Sequence, residues 1–197
     1  MIKAIIFDFG GVLTVKQHLH EFSEIYAPKF GADIKEFDRV LHENWLQARI
    51  NGINSKVFWK NLSSFLKTDE KELRKDFIEF FGFRPEVLEF IQEIKKKKYK
   101  LGMLSNQIED WLEEHIQNHN LNKIFDVIVT SYGSRLAKPD VAIYLKALKE
   151  LSCKAEECIF VDDLIKNVEA ANKLGINGIL FESLEQLKKE LKVLGVK

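Results

Sequence analysis

The stretch Ile2-Lys3-Ala4-Ile5-Ile6-Phe7-Asp8-Phe9-Gly10-Gly11-Val12-Leu13 decides the fold. Ile2 to Phe7 is an apolar, β-rich run with one Lys, the pattern of a strand buried on both faces in the middle of a parallel sheet. Asp8 follows directly, where such a strand would end, and two glycines come close behind. A carboxylate there is costly unless something pairs with it. Two readings of Asp8 are open at this point: a carboxylate that caps a turn, or a nucleophile or metal ligand at the carboxyl end of a central strand, where open α/β sheets place their ligands.

Beyond Leu13 the period changes. From about Lys16 to Phe81 the chain is helical in pattern and rich in aromatics. Leu19, Phe22, Ile25, Tyr26 and Phe30 share one face, and Ile34, Phe37, Val40, Leu41 and Trp45 another. Phe58, Leu62, Phe65 and Leu66 form a third face; Leu73, Phe77, Phe80 and Phe81 form a fourth. Gly31, Asn51-Gly52 and Thr68-Asp69 break these runs. The expectation is a helical subdomain over residues 16–81, inserted into an α/β core made of residues 1–15 and 82–197.

From Arg84 onward strands alternate with helices. Pro85 suits the first turn of a helix that buries Val87, Leu88, Ile91 and Ile94. Leu101 to Leu104 reads as a strand ending at Ser105-Asn106, followed by a helix from about Ile108 to Asn118. Phe125 to Thr130 is a third strand, and Lys138-Pro139 opens the next helix. Cys158 to Val161 is a fourth strand, ending at Asp162-Asp163. A helix to Leu174 stops at Gly175. Ile179 to Phe181 is a short fifth strand, and Ser183 can cap the last helix. Alternation of this kind means a doubly wound, Rossmann-like α/β fold with a parallel sheet, here expected in the order 5-4-1-2-3.

Composition narrows the function. The 197 residues are 46 % hydrophobic and 30 % charged, and 30 basic side chains balance 30 acidic ones. A zero net charge gives no reason to expect nucleic acid or an anionic membrane as partner, and no apolar run reaches membrane-span length. Lys95 to Lys98 read as the solvated end of a helix, complementing its dipole. The N-terminal strand, with its charge at Lys3, does not read as a signal peptide. Cys153 and Cys158 are the two cysteines, which fits a reduced, cytoplasmic protein. A monomer or homodimer is the expected state.

Four polar signals fall at related places: Asp8 after the first strand, Ser105-Asn106 after the second, Lys138-Pro139 after the third, and Asp162-Asp163 after the fourth. In a parallel sheet these strand ends lie along one edge. Three carboxylates together would raise one another's pKa values, and a lysine and a divalent cation would relieve that. A hydroxyl, an ammonium and free backbone N–H groups are also what a phosphate needs.

In these residues the chain resembles the haloacid dehalogenase-like superfamily. Asp8-Phe9-Gly10-Gly11-Val12 stands at its first motif, Ser105 at its second, Lys138 at its lysine, and Asp162-Asp163 with Asn167 at its final acidic motif. The helical insertion is similar to its C1-type cap. The resemblance implies a Mg²⁺-dependent hydrolase of small phosphate esters, with sugar phosphates among them. Asp8 would be the nucleophile and form an aspartyl intermediate. Asp8, the Gly10 carbonyl and Asp163, with Asp162 close by, would hold Mg²⁺. Ser105 and Lys138 would bind the phosphoryl group, and the N–H groups of Phe9 and Asn106 would add donors.

One position departs from the family pattern. Where its phosphatases carry a second Asp, acting as general acid and base, this chain has Gly10. Gly keeps the carbonyl for the metal but supplies no proton, and such help is worth about 10²–10⁴-fold. The expected substrates are therefore esters with good leaving groups, with His18 and His20 the nearest substitutes in sequence. Arg49, in the junction Gln47 to Gly52 that resembles a cap loop, is a candidate for binding a substrate anion. Two other readings stand beside the phosphatase. A 2-haloacid dehalogenase would use the same Asp on carbon. A phosphate-binding regulatory protein would keep the fold and little turnover.

Overall fold

The computed structural model describes residues 1–16 and 18–196. Of the expected segments, only Gln17 and Lys197 lie outside the described residues. Five strands form one all-parallel sheet: β1 (Ala4–Phe7), β2 (Lys100–Ser105), β3 (Val127–Thr130), β4 (Cys158–Asp162) and β5 (Asn177–Leu180). Their order is β3-β2-β1-β4-β5, the expected one. β1 lies at the centre, pairing Phe7 with Met103 on one side and with Val161 on the other. The order reverses between β1 and β4, so a crevice opens beyond their carboxyl ends, the usual ligand position in this topology.

Alternation along β1 sorts the core into two layers. Ile5 and Phe7 join Leu101, Met103, Ile159 and Val161 on one face. Ala4 and Ile6 join Leu104, Val129 and Phe160 on the other. Both faces are covered by helices, which is why the strand is apolar at every position from Ala4 to Phe7. The first face packs against α5 (Pro85–Lys96), α6 (Glu109–Asn118) and α11 (Leu184–Val193), and the second against α9 (Val141–Leu151) and α10 (Ile165–Lys173). Ser183 caps α11 by accepting from the Gln186 N–H, as its position before the apolar run predicts. Two four-residue helices, α7 (Leu121–Ile124) and α8 (Ser131–Ser134), are too short for a hydrophobic period to disclose them. No helix among the described residues is long and apolar enough to cross a membrane.

Between β1 and α5 the chain forms α1 (Leu19–Lys29), α2 (Ile34–Ala48), α3 (Ser55–Leu66) and α4 (Glu70–Phe81). Asp33, Asn54 and Asp69 cap α2, α3 and α4 with their side chains. Phe22 is the aromatic centre of this bundle, stacked on Tyr26 at 4.1 Å and meeting Phe77 edge-on at 5.0 Å. Ile25 differs from expectation. It is 56 % exposed, because Ser23 and Ala27 lie closer to the seam set by Phe22 and each residue turns the helix by about 100°.

Two chain crossings join the helices to the sheet, and they are bonded to each other. The N–H groups of Val15 and Lys16 donate to the Phe81 carbonyl, and the Arg84 N–H donates to Leu13. The Arg84 guanidinium donates to the carbonyls of Thr14 and Val15. A second attachment lies away from the crossings. Trp59 Nε1 and Arg74 Nε both donate to Asp110 Oδ2, at 2.8 and 3.0 Å, and Arg74 Nη2 reaches Glu114 at 2.6 Å. Trp111 of α6 packs against Phe77 and Phe81 beneath them. The apolar core therefore runs without a break from the sheet into the bundle.

Candidate active site

The strand ends bring Asp8, Lys138 and Asp162 into direct contact. Lys138 Nζ lies 2.7 Å from Asp8 Oδ1 and 2.6 Å from Asp162 Oδ2, with its side chain only 1 % exposed. Burial works against the Lys138 ammonium, but Asp162 and Asp8 more than offset it and raise its pKa. Burial also pushes Asp8 well above the usual carboxylate range. Asp162 and Asp163 add to that rise, against the pull of Lys138.

Each member is held by the chain around it. Asp8 Oδ1 accepts the Phe9 N–H at 2.7 Å. Asp162 uses both oxygens: beside Lys138, its Oδ1 accepts from the Leu164 N–H and from Asn167 Nδ2, each at 2.9 Å. Lys138 is aimed by Asn106, whose Oδ1 accepts the Lys138 N–H at 2.9 Å and whose Nδ2 donates to the Lys138 carbonyl at 3.0 Å. Asn106 thus acts through its side chain, a clamp that motif spacing does not disclose.

Ser105 is fully buried, and its Oγ has no hydrogen-bond partner among the described residues. A buried hydroxyl left unpaired costs roughly 1–3 kcal/mol; this one closes β2 immediately before Asn106, the residue that clamps Lys138. The carboxylates make a second unmet demand. Oxygens of Asp8, Asp162 and Asp163 lie within 4.8 Å of one another. With both Asp162 oxygens engaged, Asp8 and Asp163 are the open pair. Burial, then Asp162, pushes Asp163 up to about 7. A hard divalent cation with oxygen ligands fits this cluster. Gly11 is what permits it: at φ +69°, its missing Cβ would fall 2.5 Å from the Asp163 carboxylate.

A cavity of about 170 Å³ stands over these groups. Its floor carries Asp8, Gly10, Lys138 and Asp163. Its roof is one face of α2 and its end, where His42, Trp45, Leu46 and Arg49 recur at helical spacing. Arg49 terminates α2 rather than sitting in a loop. Its guanidinium lies 4.6 Å from the Trp45 ring, its buried Nε has no partner among the described residues, and burial lowers its pKa. His18 and His20 are exposed and do not line this cavity; His20 faces Glu24 and Asp38 instead.

Sequence reasoning missed His42 and Trp45 as wall residues, although their spacing from Arg49 was available. It also missed Gln107, which lines the cavity beside Gly10. The β1–β2 register supplies what the sequence lacks: Phe7 pairs with Met103, so residues just past both strand ends meet.

The family model for haloacid dehalogenase-like hydrolases matches residues 2–175. Among curated relatives, the phosphorylated carbohydrates phosphatase of Thermotoga maritima is 28 % identical over 184 residues, covering 90 % of this chain and 84 % of that protein. The sesquiterpene phosphatase astK of Aspergillus oryzae is 28 % identical over 180 residues, covering 90 % and 88 %. Among solved structures, a HAD family enzyme of Bacteroides thetaiotaomicron in complex with magnesium and inorganic phosphate superposes with a TM-score of 0.80 at 21 % identity, covering 95 % and 99 %.

Proposed function

The chain belongs to the haloacid dehalogenase-like hydrolases, and on that footing we propose that it is a phosphatase of small phosphate monoesters that works through an aspartyl phosphate on Asp8. The observation that carries this reading is the lysine that already touches Asp8, clamped by Asn106, the residue after the Ser105 hydroxyl, which has no partner among the described residues. The phosphatase names of the curated relatives support the reaction class. The Thermotoga maritima relative supports a phosphorylated carbohydrate as one substrate class.

Asp8, the Gly10 carbonyl and Asp163 would hold Mg²⁺, and Asp162 would anchor Lys138. The bound cation would offset the carboxylate charge and the charge gathering on the phosphoryl oxygens. Lys138 and Ser105 bind the phosphoryl group, and Asp8 attacks phosphorus in line. The bond to the leaving oxygen breaks, and that oxygen takes its proton from solvent. Water then attacks phosphorus, the Asp8 carboxylate departs, and both water protons remain with inorganic phosphate. The α2 roof acts as the cap, excluding bulk water and selecting the substrate. Residues 16–81 are the cap segment in this reading.

A second carboxylate in the cavity, Asp163, weighs against a 2-haloacid, whose own carboxylate it would repel. The test is phosphate release from p-nitrophenyl phosphate with Mg²⁺, with EDTA, and with Asp8→Asn. Release that needs both the metal and Asp8 is expected. No release above the Asp8→Asn background, and no beryllofluoride adduct on Asp8, would favour a binding protein with little turnover; halide release would favour the dehalogenase.

A further inference from the structure

We propose that Gln107 fills the place left by the missing acid–base carboxylate and orients the attacking water and the leaving oxygen by hydrogen bonds. This rests on the phosphatase reading above. Gly10 stands two residues after Asp8, where an acid–base side chain would project. A Cβ at Gly10 would lie 3.1 Å from Gln107 Nε2 and would meet no other atom of the described residues within 4 Å outside its chain neighbours. The space beside Gly10 is therefore bounded by a carboxamide.

Gln107 is anchored for such work. Its N–H donates to Ser131 Oγ at 3.2 Å, and its neighbour Asn106 clamps the Lys138 backbone. Its side chain lines the cavity with Asp8, Lys138 and Asp163. The carboxamide makes no hydrogen bond with any described residue, so its donor and its acceptor are both open. An amide can hold water through its oxygen and a leaving oxygen through its N–H, but it transfers no proton. A glutamine orients the attacking water in other phosphoryl-transfer sites.

The chemistry then selects its substrates. With no acid at hand, the leaving oxygen departs as an anion and takes its proton from solvent. In the second step water forms the new P–O bond, the Asp8–phosphorus linkage breaks, and both water protons end on phosphate. Esters that leave readily, such as aryl, acyl and anomeric sugar phosphates, suit this site. Simple alkyl phosphates do not.

The test compares wild type, Gln107→Ala and Gln107→Glu with Mg²⁺ on aryl phosphates of graded leaving-group pKa and on a simple alkyl phosphate. Wild-type rates should fall steeply as leaving-group pKa rises. Gln107→Ala should slow steady-state turnover roughly 10-fold and expose a stoichiometric burst of p-nitrophenolate, because loss of the oriented water slows dephosphorylation. It should weaken vanadate inhibition about as much, leave phosphate inhibition in place, and keep the same Tm. Gln107→Glu should gain on the alkyl ester and acquire a new ionisation in its pH profile. An active wild type whose Gln107→Ala variant keeps its turnover, burst and vanadate affinity overturns the role of Gln107 and leaves the phosphatase reading standing. A wild type that neither turns over nor labels Asp8 overturns both.

Discussion

Lys138 and Asp162 form a 2.6 Å ion pair in which neither side chain is more than 1 % exposed. Such a pair is weak evidence of net stabilisation, but breaking it leaves a buried ammonium short of one of its two carboxylates, in a class of change that costs about 3–5 kcal/mol. Asp162→Ala leaves Lys138 with Asp8 as its one carboxylate partner among the described residues and removes the acceptor for Asn167 and the Leu164 N–H. The expected result is a Tm lower by roughly 10 °C for a chain of this size, measured by calorimetry, with activity lost even at temperatures where the variant is folded. A variant with wild-type Tm would show that Lys138 does not depend on this partner.

Gly11 and Gly10 should respond differently to a single methyl group. Gly11→Ala places Cβ on the Asp163 carboxylate and forces a positive φ on alanine, a backbone cost of roughly 1–2 kcal/mol. Gly10→Ala meets only the flexible end of Gln107. Mg²⁺ at about 100 times its Kd should stabilise wild type and Gly10→Ala by about 2.7 kcal/mol. That Mg²⁺-induced rise in Tm should vanish in Gly11→Ala and Asp163→Asn. Equal rises in all four proteins would remove Asp163 from the proposed metal site.

Arg49 carries a buried Nε with no partner among the described residues and rests on Trp45. If the α2 roof selects substrate, Arg49→Ala should raise KM about 10-fold or more for a substrate with an anionic or polyhydroxylated body, since hydrogen bonds to charged groups are worth about 1.5–3 kcal/mol. The smallest aryl phosphates should be little affected. Arg49→Lys should not restore affinity, because an ammonium neither stacks on Trp45 nor offers a planar fork. A uniform loss of kcat across all substrates would instead place Arg49 at the transferring phosphate.

His115 sets a pH limit on stability. It is 6 % exposed, both ring nitrogens lack hydrogen-bond partners among the described residues, and it packs against Phe9, Trp111, Phe83 and His119. Burial, then His119, lowers its pKa to about 4, with Glu114 opposing. Between that value and the ordinary 6.5 the unfolded chain holds a proton that the folded chain does not. Stability is therefore complete above about pH 6.5 and is lost as pH falls towards 4, by on the order of 3 kcal/mol. His115→Phe should flatten that slope in urea titrations across this range. An unchanged slope would assign the acid sensitivity to other groups.

Much of this architecture is legible in local pattern. The apolar run before Asp8, the strand–helix alternation after Arg84 and the aromatic spacing of residues 19–81 each act between near neighbours. The edge shared by Asp8, Ser105, Lys138 and Asp162 follows from parallel topology, whereas the strand order β3-β2-β1-β4-β5 is one of several such a sheet allows. The exposure of Ile25 was not legible, because two small residues beside Phe22 decide which way α1 turns. The histidines nearest Asp8 in sequence were poor guides to the cavity, since α1 carries them to the outside.

The sequence by itself determined the alternating strands and helices of the doubly wound sheet and the helical run inserted after β1, because hydrophobic period and turn chemistry are short-range; the candidate reacting groups came from motif resemblance. Only the tertiary structure decided which groups are already paired and which are left open. Asp162 is consumed by Lys138, Leu164 and Asn167, whereas Ser105 Oγ and Arg49 Nε have no partner among the described residues. Gln107 came to stand beside Gly10 only when β1 and β2 aligned in register. Hydrogen bonds and charge pairing act over a few ångströms, and distances of that kind between remote residues exist only once the chain has folded.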